Sequence, residues 1–182
     1  MLLADMPDGT SQLIYTRGPV STGQYSGAGN IVAVLSKILG TSASLIGLSP
    51  DPRGTTNGLW RMLKDNGNWQ PVEWINPPMT LGTEYRTTER FCGRPVYYKI
   101  VDCGQIAGNK QVEHGIVNMR DCISFQGLRG GMPMPSISNN NLSDPWSFYV
   151  ADVSRTKITL ACGTSAAGGN CHVMLKYTKT TD

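Results

Sequence analysis

The sequence predicts a mainly β protein, and three observations lead to that prediction. Its 182 residues include 21 glycines and 11 prolines but only 16% charged side chains, a turn-rich composition typical of many short strands. Runs of β-branched and aromatic residues recur along the chain, bounded by Gly, Pro, Asn or Asp. One pair of alternating runs is joined through Asn66-Gly67, the strongest short-range signal for a hairpin.

Residues 1–76 are expected to form a small β-rich module. The run at 31–39 could be a buried strand or a short helix, but its β-branched start and the flanking Gly29 and Gly40 favour a strand. Residues 22–30 are rich in Gly and Ser and are predicted to be a loop. The tryptophans near the hairpin are interpreted as its core, since a sugar-stacking platform would need at least one of them exposed. The predicted strands are 13–16, 31–39, 44–48, 59–64 and 69–74.

A domain boundary is predicted at Pro77-Pro78. Neither proline has a backbone N–H, and both have a fixed φ, so the pair acts as a semi-rigid spacer that no helix or central strand can cross. Residues 79–182 are therefore expected to form a second domain.

The second domain reads as a series of short strands. The first two should form a hairpin closed at residues 92–95, and residues 127–145 are predicted to be irregular because they are rich in Gly, Pro and Asn. So many antiparallel strands need two stacked sheets, since a single sheet would leave an apolar face in water. The prediction is an antiparallel β-sandwich of jelly-roll type. Its predicted strands are 85–91, 96–101, 112–118, 122–126, 146–150, 157–162 and 172–178.

Charge and cysteine usage exclude several classes. The net charge of +3 is small and the Lys and Arg residues are scattered, which argues against nucleic acid. No run approaches the roughly 18 apolar residues of a membrane span, and the start lacks the pattern of a signal peptide. Five cysteines cannot all pair, which indicates a reducing cytosol, although Cys162 and Cys171 could face each other across a hairpin. A metal site at these two residues and His172 is disfavoured, because structural zinc wants four ligands.

Several short motifs follow one another in the second half of the chain: LGTEYRTTER from residue 81, GRPVYYK from 93, VDCG from 101, HGI from 114 and KYTKTTD from 176. Over residues 74–182 this order resembles the C-terminal head of tail-fibre and receptor-binding proteins of bacteriophages and prophages, especially those of Gram-positive hosts. TGQY, LWRM and NWQPVEW in the first half resemble knob-type modules of tail fibres and phage-tail-like bacteriocins.

The resemblance implies a virion protein at the tip of a tail fibre or baseplate, made in the bacterial cytoplasm. It implies a homotrimer that contacts other tail or baseplate proteins and requires no cofactor. The start at Met1 could be a cut from a longer fibre, whereas Asp182 is expected to be a true end.

The expected function is non-enzymatic attachment to bacterial cell-wall polysaccharide or teichoic acid. Such binding needs an aromatic surface for the sugar ring and amide or carboxylate groups for its hydroxyls, and three heads per fibre would compensate for weak single sites. The alternative is that the Asn run only makes turns and that the tryptophan belongs to the core. The candidate ligand-binding residues are Arg129, Asn139, Asn140, Asn141, Asp144 and Trp146.

No catalytic constellation is recognised. Glu84 and Glu89 lie five residues apart on a predicted strand and so on opposite faces, and Glu113 next to His114 also points away from its neighbour. His114 is interpreted as structural, with Gly115 in a conformation that other residues resist. A structural trimerisation or baseplate component is the alternative function, and a polysaccharide depolymerase is the third. The acids to test for a depolymerase would be Glu84, Glu89, Asp102, Glu113 and Asp144.

Overall fold

The structure is a computed structural model that describes residues 5–16, 20–21, 26–27, 31–49, 58–135, 144, 146–164 and 168–181. It divides into two compact units, the first formed by Met1–Thr80 with Tyr85–Thr88 and the second by Leu81–Glu84 with Glu89–Asp182. The described residues contain strands and turns but no α-helix, which confirms the predicted mainly β class. None of them therefore forms a helix that could span a membrane.

The first unit is built on one sheet with the order β1-β4-β5-β6-β8-β9. Neighbouring strands are antiparallel except β8 and β9, which pair in parallel, while β7 pairs with β6 and β2 with β3. The strands are β1 (Ser11–Thr16), β2 (Val20–Ser21), β3 (Ser26–Gly27), β4 (Ile31–Leu39), β5 (Ser42–Ser49), β6 (Gly58–Asp65), β7 (Asn68–Trp69), β8 (Glu73–Asn76) and β9 (Glu84–Phe91), whose residues are divided between the two units.

Two local predictions for this unit are confirmed. β4 is a strand, not a helix, and its side chains alternate, with Ala33 and Leu35 buried and Val34 exposed. Asn66 and Gly67 have φ values of 47° and 84°, the left-handed pair that a two-residue type I′ hairpin turn requires. The strand predicted at 69–74 is interrupted after β7, because Pro71 has no N–H to donate to the sheet.

The core of the first unit is organised by tryptophans that lie against glycines. Trp60 is 1% exposed and packs with Met62 and Ala33. Gly47 is the cross-strand partner of Trp60, and a Cβ on it would lie 2.2 Å from the indole ring. A Cβ on Gly58 would lie 2.4 Å from the ring of Trp74. Because the two glycines have no side chain, the indole rings of Trp60 and Trp74 can lie against the sheet at these positions.

The second unit is a two-layer sandwich. Its larger sheet has the order β9-β10-β16-β12-β13 and its smaller sheet the order β11-β15-β14, with the pairings about β16 and β15 antiparallel. The strands that follow β9 are β10 (Arg94–Gln105), β11 (Lys110–Glu113), β12 (Met119–Arg129), β13 (Met132–Met134), β14 (Phe148–Val153), β15 (Lys157–Cys162) and β16 (Asn170–Lys179).

The core of this unit lies between the two sheets, as the predicted β-sandwich requires. Val173 and Leu175 of β16 are fully buried in one cluster with Ile158 and Leu160 of β15. Alternation along each strand places these side chains on the inner faces of the two layers.

Two local expectations for this unit were wrong, and a cysteine pairing that the sequence left open is not formed in the structure. The strand predicted at 112–118 ends at Glu113, because Gly115 and Asn118 take left-handed φ values of 61° and 59°. Residues 127–145 are not wholly irregular. β12 extends to Arg129, and β13 pairs with it after a turn at Gly130-Gly131, both of which have positive φ. The cysteines that could have paired across a hairpin are free, as are the other three.

Candidate functional site

Five strand ends meet at one end of the sandwich, here called the loop end. Strand pairing sets Gln105 at the end of β10 beside Asn170 at the start of β16. Arg129, at the end of β12, is opposite Cys171, and Phe148, at the start of β14, is opposite Cys162 at the end of β15. The connections that leave these strands therefore share one edge of the second unit, where loops commonly carry binding residues.

Arg129 joins three segments at the loop end. Its guanidinium lies 4.8 Å from the centre of the Phe148 ring, a cation–π contact. Its Nε donates a hydrogen bond of 2.9 Å to the carbonyl oxygen of Gly168, just before β16. The side chain is half-buried, and its contacts with Phe148 and Gly168 also hold these segments against β12.

Asp144 and Trp146 form the turn that leads into β14. The Asp144 carboxylate accepts a hydrogen bond of 2.9 Å from the Trp146 backbone N–H, and its carbonyl accepts one of 2.9 Å from the N–H of Ser147. Ser147 is buried, and its carbonyl accepts a hydrogen bond from Gly163 after β15. The backbone N–H groups of Trp146 and Ser147 are therefore both bonded to Asp144, while the Trp146 side chain is 64% exposed.

The structure brings part of the predicted binding set to this end. Phe148, the ring under Arg129, is only two residues beyond Trp146, so Arg129, Asp144 and Trp146 all lie at the loop end. The exposure of Trp146 excludes the alternative that it is a core residue. Asn139, Asn140 and Asn141 lie outside the described residues.

Sequence reasoning missed a pocket on the outer face of the larger sheet, with a volume of about 430 Å³. Its floor is made by cross-strand rows, one of them formed by Ile100, Met174 and Gln126. The sequence did contain one signal, which is that apolar residues occur at strand positions that alternation assigns to the solvent side. Only the register of the strands, however, shows that these residues lie next to one another. The lining residues are Ile100, Gln126, Gly127, Leu128, Pro133, Met134, His172 and Met174.

Polar groups at the edge of this pocket are few. His172 Nε2 lies 3.9 Å from a carboxylate oxygen of Asp102, and that oxygen also accepts a hydrogen bond of 2.8 Å from the Gly104 N–H. Gln126 is a second polar residue of the lining. The pocket can thus accept an apolar group with an imidazole and an amide beside it.

Glu84 and Glu89 are bound by neighbouring side chains. Glu84 accepts hydrogen bonds from the buried Tyr177 hydroxyl and from Lys179. Burial, and then this hydrogen bond, raises the pKa of Tyr177. Glu89 accepts hydrogen bonds from Lys176 and, at 2.7 Å, from the Tyr98 hydroxyl, and the Lys176 contact lowers the pKa of Glu89.

His114 packs inside the second unit. It is 2% exposed, and its Nδ1 accepts a hydrogen bond of 3.1 Å from the Ile116 N–H while its Nε2 donates to the Ser154 carbonyl at 3.2 Å. Burial lowers the pKa of His114, so the ring is neutral and holds the turn after β11. Within the described ranges no group of three or more His, Cys, Asp or Glu residues could hold a metal ion.

Comparison with known proteins shows one distant structural neighbour. No protein-family model matches the chain. No curated protein matches it. The chain is similar to the N-truncated R2-type pyocin tail fibre, solved as its selenomethionine form, with 8% sequence identity over 80% of this chain and 82% of that chain. The TM-score is 0.30, a likeness that carries no argument about function.

Proposed function

We propose that this chain is the head of a phage tail fibre or receptor-binding protein, which attaches the virion to a saccharide of the bacterial cell surface without cleaving it. One observation carries the proposal: the exposed indole of Trp146 at the loop end, on a residue whose backbone N–H is bonded to the Asp144 carboxylate. An exposed indole can stack on the apolar face of a sugar ring. The hydrogen bond to Asp144 restrains the backbone at Trp146 and so reduces the entropy lost on binding.

The chemistry around the indole supports the same ligand class. Arg129 at the same end has a planar guanidinium, suited to hydroxyl, carboxylate or phosphate oxygens of cell-wall polysaccharide or teichoic acid. The order of sequence motifs from residue 81 to 182 supports a place at the tip of a tail fibre. Weak affinity per head would be multiplied in a homotrimer and again by several fibres on one particle.

Binding to susceptible host cells tests the proposal. We expect Trp146→Ala to weaken cell binding about 10-fold per head, the effect of losing roughly 1.4 kcal/mol of stacking. The matched control is Phe91→Ala, an exposed aromatic residue just before the start of β10, at the opposite end of that strand from the loop end. Wild-type protein that fails to bind susceptible cells, or Trp146→Ala that binds as tightly as Phe91→Ala, would contradict the proposal.

A structural role in trimerisation or in the baseplate is the second candidate. It is favoured by a row of exposed aliphatic residues on the first unit, Leu13, Val34 and Ile46, which suits a protein partner better than a sugar. Binding to a tail protein combined with no binding to cells would select this function.

A polysaccharide depolymerase has less support, because Glu84 and Glu89 are each bound by a lysine. The release of reducing ends from host polysaccharide would be needed to establish it.

A further inference from the structure

Two of the five cysteines lie together in the core of the second unit. Cys103 is near the end of β10 and Cys171 is near the start of β16, and these two strands are neighbours in the larger sheet. Both side chains belong to the core cluster between the sheets, where they are 2% and 0% exposed. The candidate binding residues at the loop end do not include either of them.

A β-bulge in β10 places Cys103 opposite Cys171. Asp102 is paired with His172 in the strand register. The next pair joins Gly104 to Cys171, which leaves Cys103 as the extra residue of a bulge. The two residues of a bulge face a single residue of the partner strand. Opposite residues of antiparallel strands have Cα atoms about 4.5–5.5 Å apart, within the range of about 4.4–6.8 Å that a disulfide spans. The strand pairing is therefore compatible with a disulfide.

The two thiol groups interact with each other. The hydrogen bond between them raises the pKa of Cys103 and lowers the pKa of Cys171. Burial acts to raise both, whereas the positive charges of Arg129 and Lys110 help to lower the pKa of Cys171. Cys171 is therefore the member of the pair that loses its proton more readily, and the thiolate is the form in which a cysteine reacts.

Both cations are held close to the pair by the fold. Lys110 Nζ donates hydrogen bonds of 2.7 and 3.1 Å to the carbonyl oxygens of Cys103 and Gln105. Arg129 is the cross-strand neighbour of Cys171 on β12. Positive charge in these positions favours a thiolate at Cys171 over one at a cysteine elsewhere in the core.

We propose that Cys103 and Cys171 are an oxidation site, at which hydrogen peroxide joins their sulfur atoms in an intramolecular disulfide. In the first step the Cys171 thiolate attacks one peroxide oxygen, the O–O bond breaks, and a sulfenic acid and hydroxide form. In the second step the Cys103 sulfur attacks the Cys171 sulfur, the S–O bond breaks, and the departing hydroxide takes the Cys103 proton. The first hydroxide takes the proton that Cys171 lost. Two thiols are oxidised to one disulfide, and one peroxide is reduced to two waters.

Burial determines which oxidant can act and what the disulfide would do. Thiols that are 2% and 0% exposed are out of reach of a protein disulfide, whereas hydrogen peroxide is small and uncharged and can enter when the strand ends open locally. The disulfide would join β10 to β16 next to their last pair, Gln105 and Asn170, at the loop end. Oxidation would therefore stiffen the base of the loop end, whether or not this end binds a saccharide.

Peptide mapping after peroxide treatment is the first test. The chain carries Cys92→Ser, because the exposed Cys92 could link two copies. Under conditions that fully oxidise free glutathione, we expect a linked peptide pair that contains Cys103 and Cys171. Its mass should be about 2 Da below the sum of the two peptides, and dithiothreitol should separate them.

Three maps would each overturn the proposal. In the first, Cys103 and Cys171 both remain free thiols. In the second, Cys171 is linked to a cysteine other than Cys103. In the third, peroxide oxidises only the neighbouring Met134, whose Sδ lies 3.9 Å from Cys171 Sγ and whose sulfoxide adds about 16 Da.

Thermal unfolding is the second test. The disulfide would close a loop of roughly 70 residues, so the oxidised chain should unfold about 10 °C above the reduced chain. Cys103→Ala should abolish this rise. Cys162→Ala is the matched control and should keep it, since Cys162 packs against the same core but its thiol donates to the Gly163 carbonyl oxygen at 3.2 Å. A rise that persists in Cys103→Ala would overturn the proposal.

The two tests stay decisive if a variant fails to fold. Should Cys103→Ala not fold, the peptide map of the chain that retains both cysteines gives the answer by itself. Neither test measures binding to cells, so a failure of saccharide binding and a failure of the oxidation site are separate results.

Discussion

A single methyl group added at Gly47 should disrupt the core of the first unit. The Cβ of Gly47→Ala would lie 2.2, 2.6 and 2.6 Å from three atoms of the Trp60 ring, well inside van der Waals contact. Trp60 is 1% exposed and packs against Met62, so the ring cannot move aside without displacing its neighbours.

Two opposing contributions set the magnitude. Replacing Gly by Ala inside a regular element normally gains about 0.5–1 kcal/mol from lower backbone entropy of the unfolded chain. Overpacking a filled core costs typically about 1–3 kcal/mol and sometimes more. Because the overlap at Gly47 involves three ring atoms of a buried side chain, the cost should prevail and leave a net loss of about 1–3 kcal/mol.

Urea unfolding followed by tryptophan fluorescence measures this loss. The midpoint should fall with no change in slope, because the surface exposed on unfolding stays the same. Ser44→Ala is the control, since Ser44 lies on the same strand but on the outward side, and it should change stability by less than about 0.5 kcal/mol. In a double-mutant cycle, Trp60→Leu should reduce the cost of Gly47→Ala by at least about 1 kcal/mol. Gly47→Ala that is as stable as the wild type, or strict additivity in the cycle, would refute this reasoning.

Two further predictions concern the second unit. Burial holds the pKa of His114 below its ordinary value of 6.5. Near and below that pH, the unfolded chain therefore takes up a proton that the folded chain does not. The free energy of unfolding should consequently fall as the pH drops from 7 to 5. Thermal unfolding across this range should show the decline, and His114→Asn should flatten it. An unchanged decline in His114→Asn would contradict the assignment. Cys92 has a left-handed φ of 50° in the hairpin turn before Gly93, so Cys92→Asn should raise the free energy of unfolding by about 0.5–1 kcal/mol, and a lower urea midpoint would count against it.

Local chemistry made the strands and one hairpin predictable. Asn66-Gly67 fixes a turn by itself, because both residues tolerate positive φ, and β4 was recognisable from its β-branched residues between two glycines. β13 was missed although Gly130-Gly131 is a hairpin signal, because the residues that follow it include two prolines and lack β-branched or aromatic side chains. The pocket was missed because its floor joins residues of three strands, whose register the sequence does not show.

The candidate binding residues could be assigned to a region but not to a surface. Residues 127–145 were predicted to be irregular, and at Asp144 the structure has a turn in which Asp144 accepts hydrogen bonds from Trp146 and Ser147. The sequence left open whether Trp146 is a core residue or an exposed binding residue, because an indole next to an apolar strand is compatible with both. Trp146 lies just outside the β14–β15 ladder, which ends at the hydrogen bond between Ser147 and Gly163 in the smaller sheet, and sequence spacing does not reveal where that ladder ends.

What the sequence determined by itself was the element type and the period of two, because φ/ψ preferences and side-chain alternation act over a few residues. What only the tertiary structure decided was which side of each strand is covered. Leu35 and Val34 are neighbours of similar character, yet one is in the core and the other in solvent. Alternation tells which residues share a side of a sheet, but burial depends on what packs against that side, and this is set by contacts between distant parts of the chain.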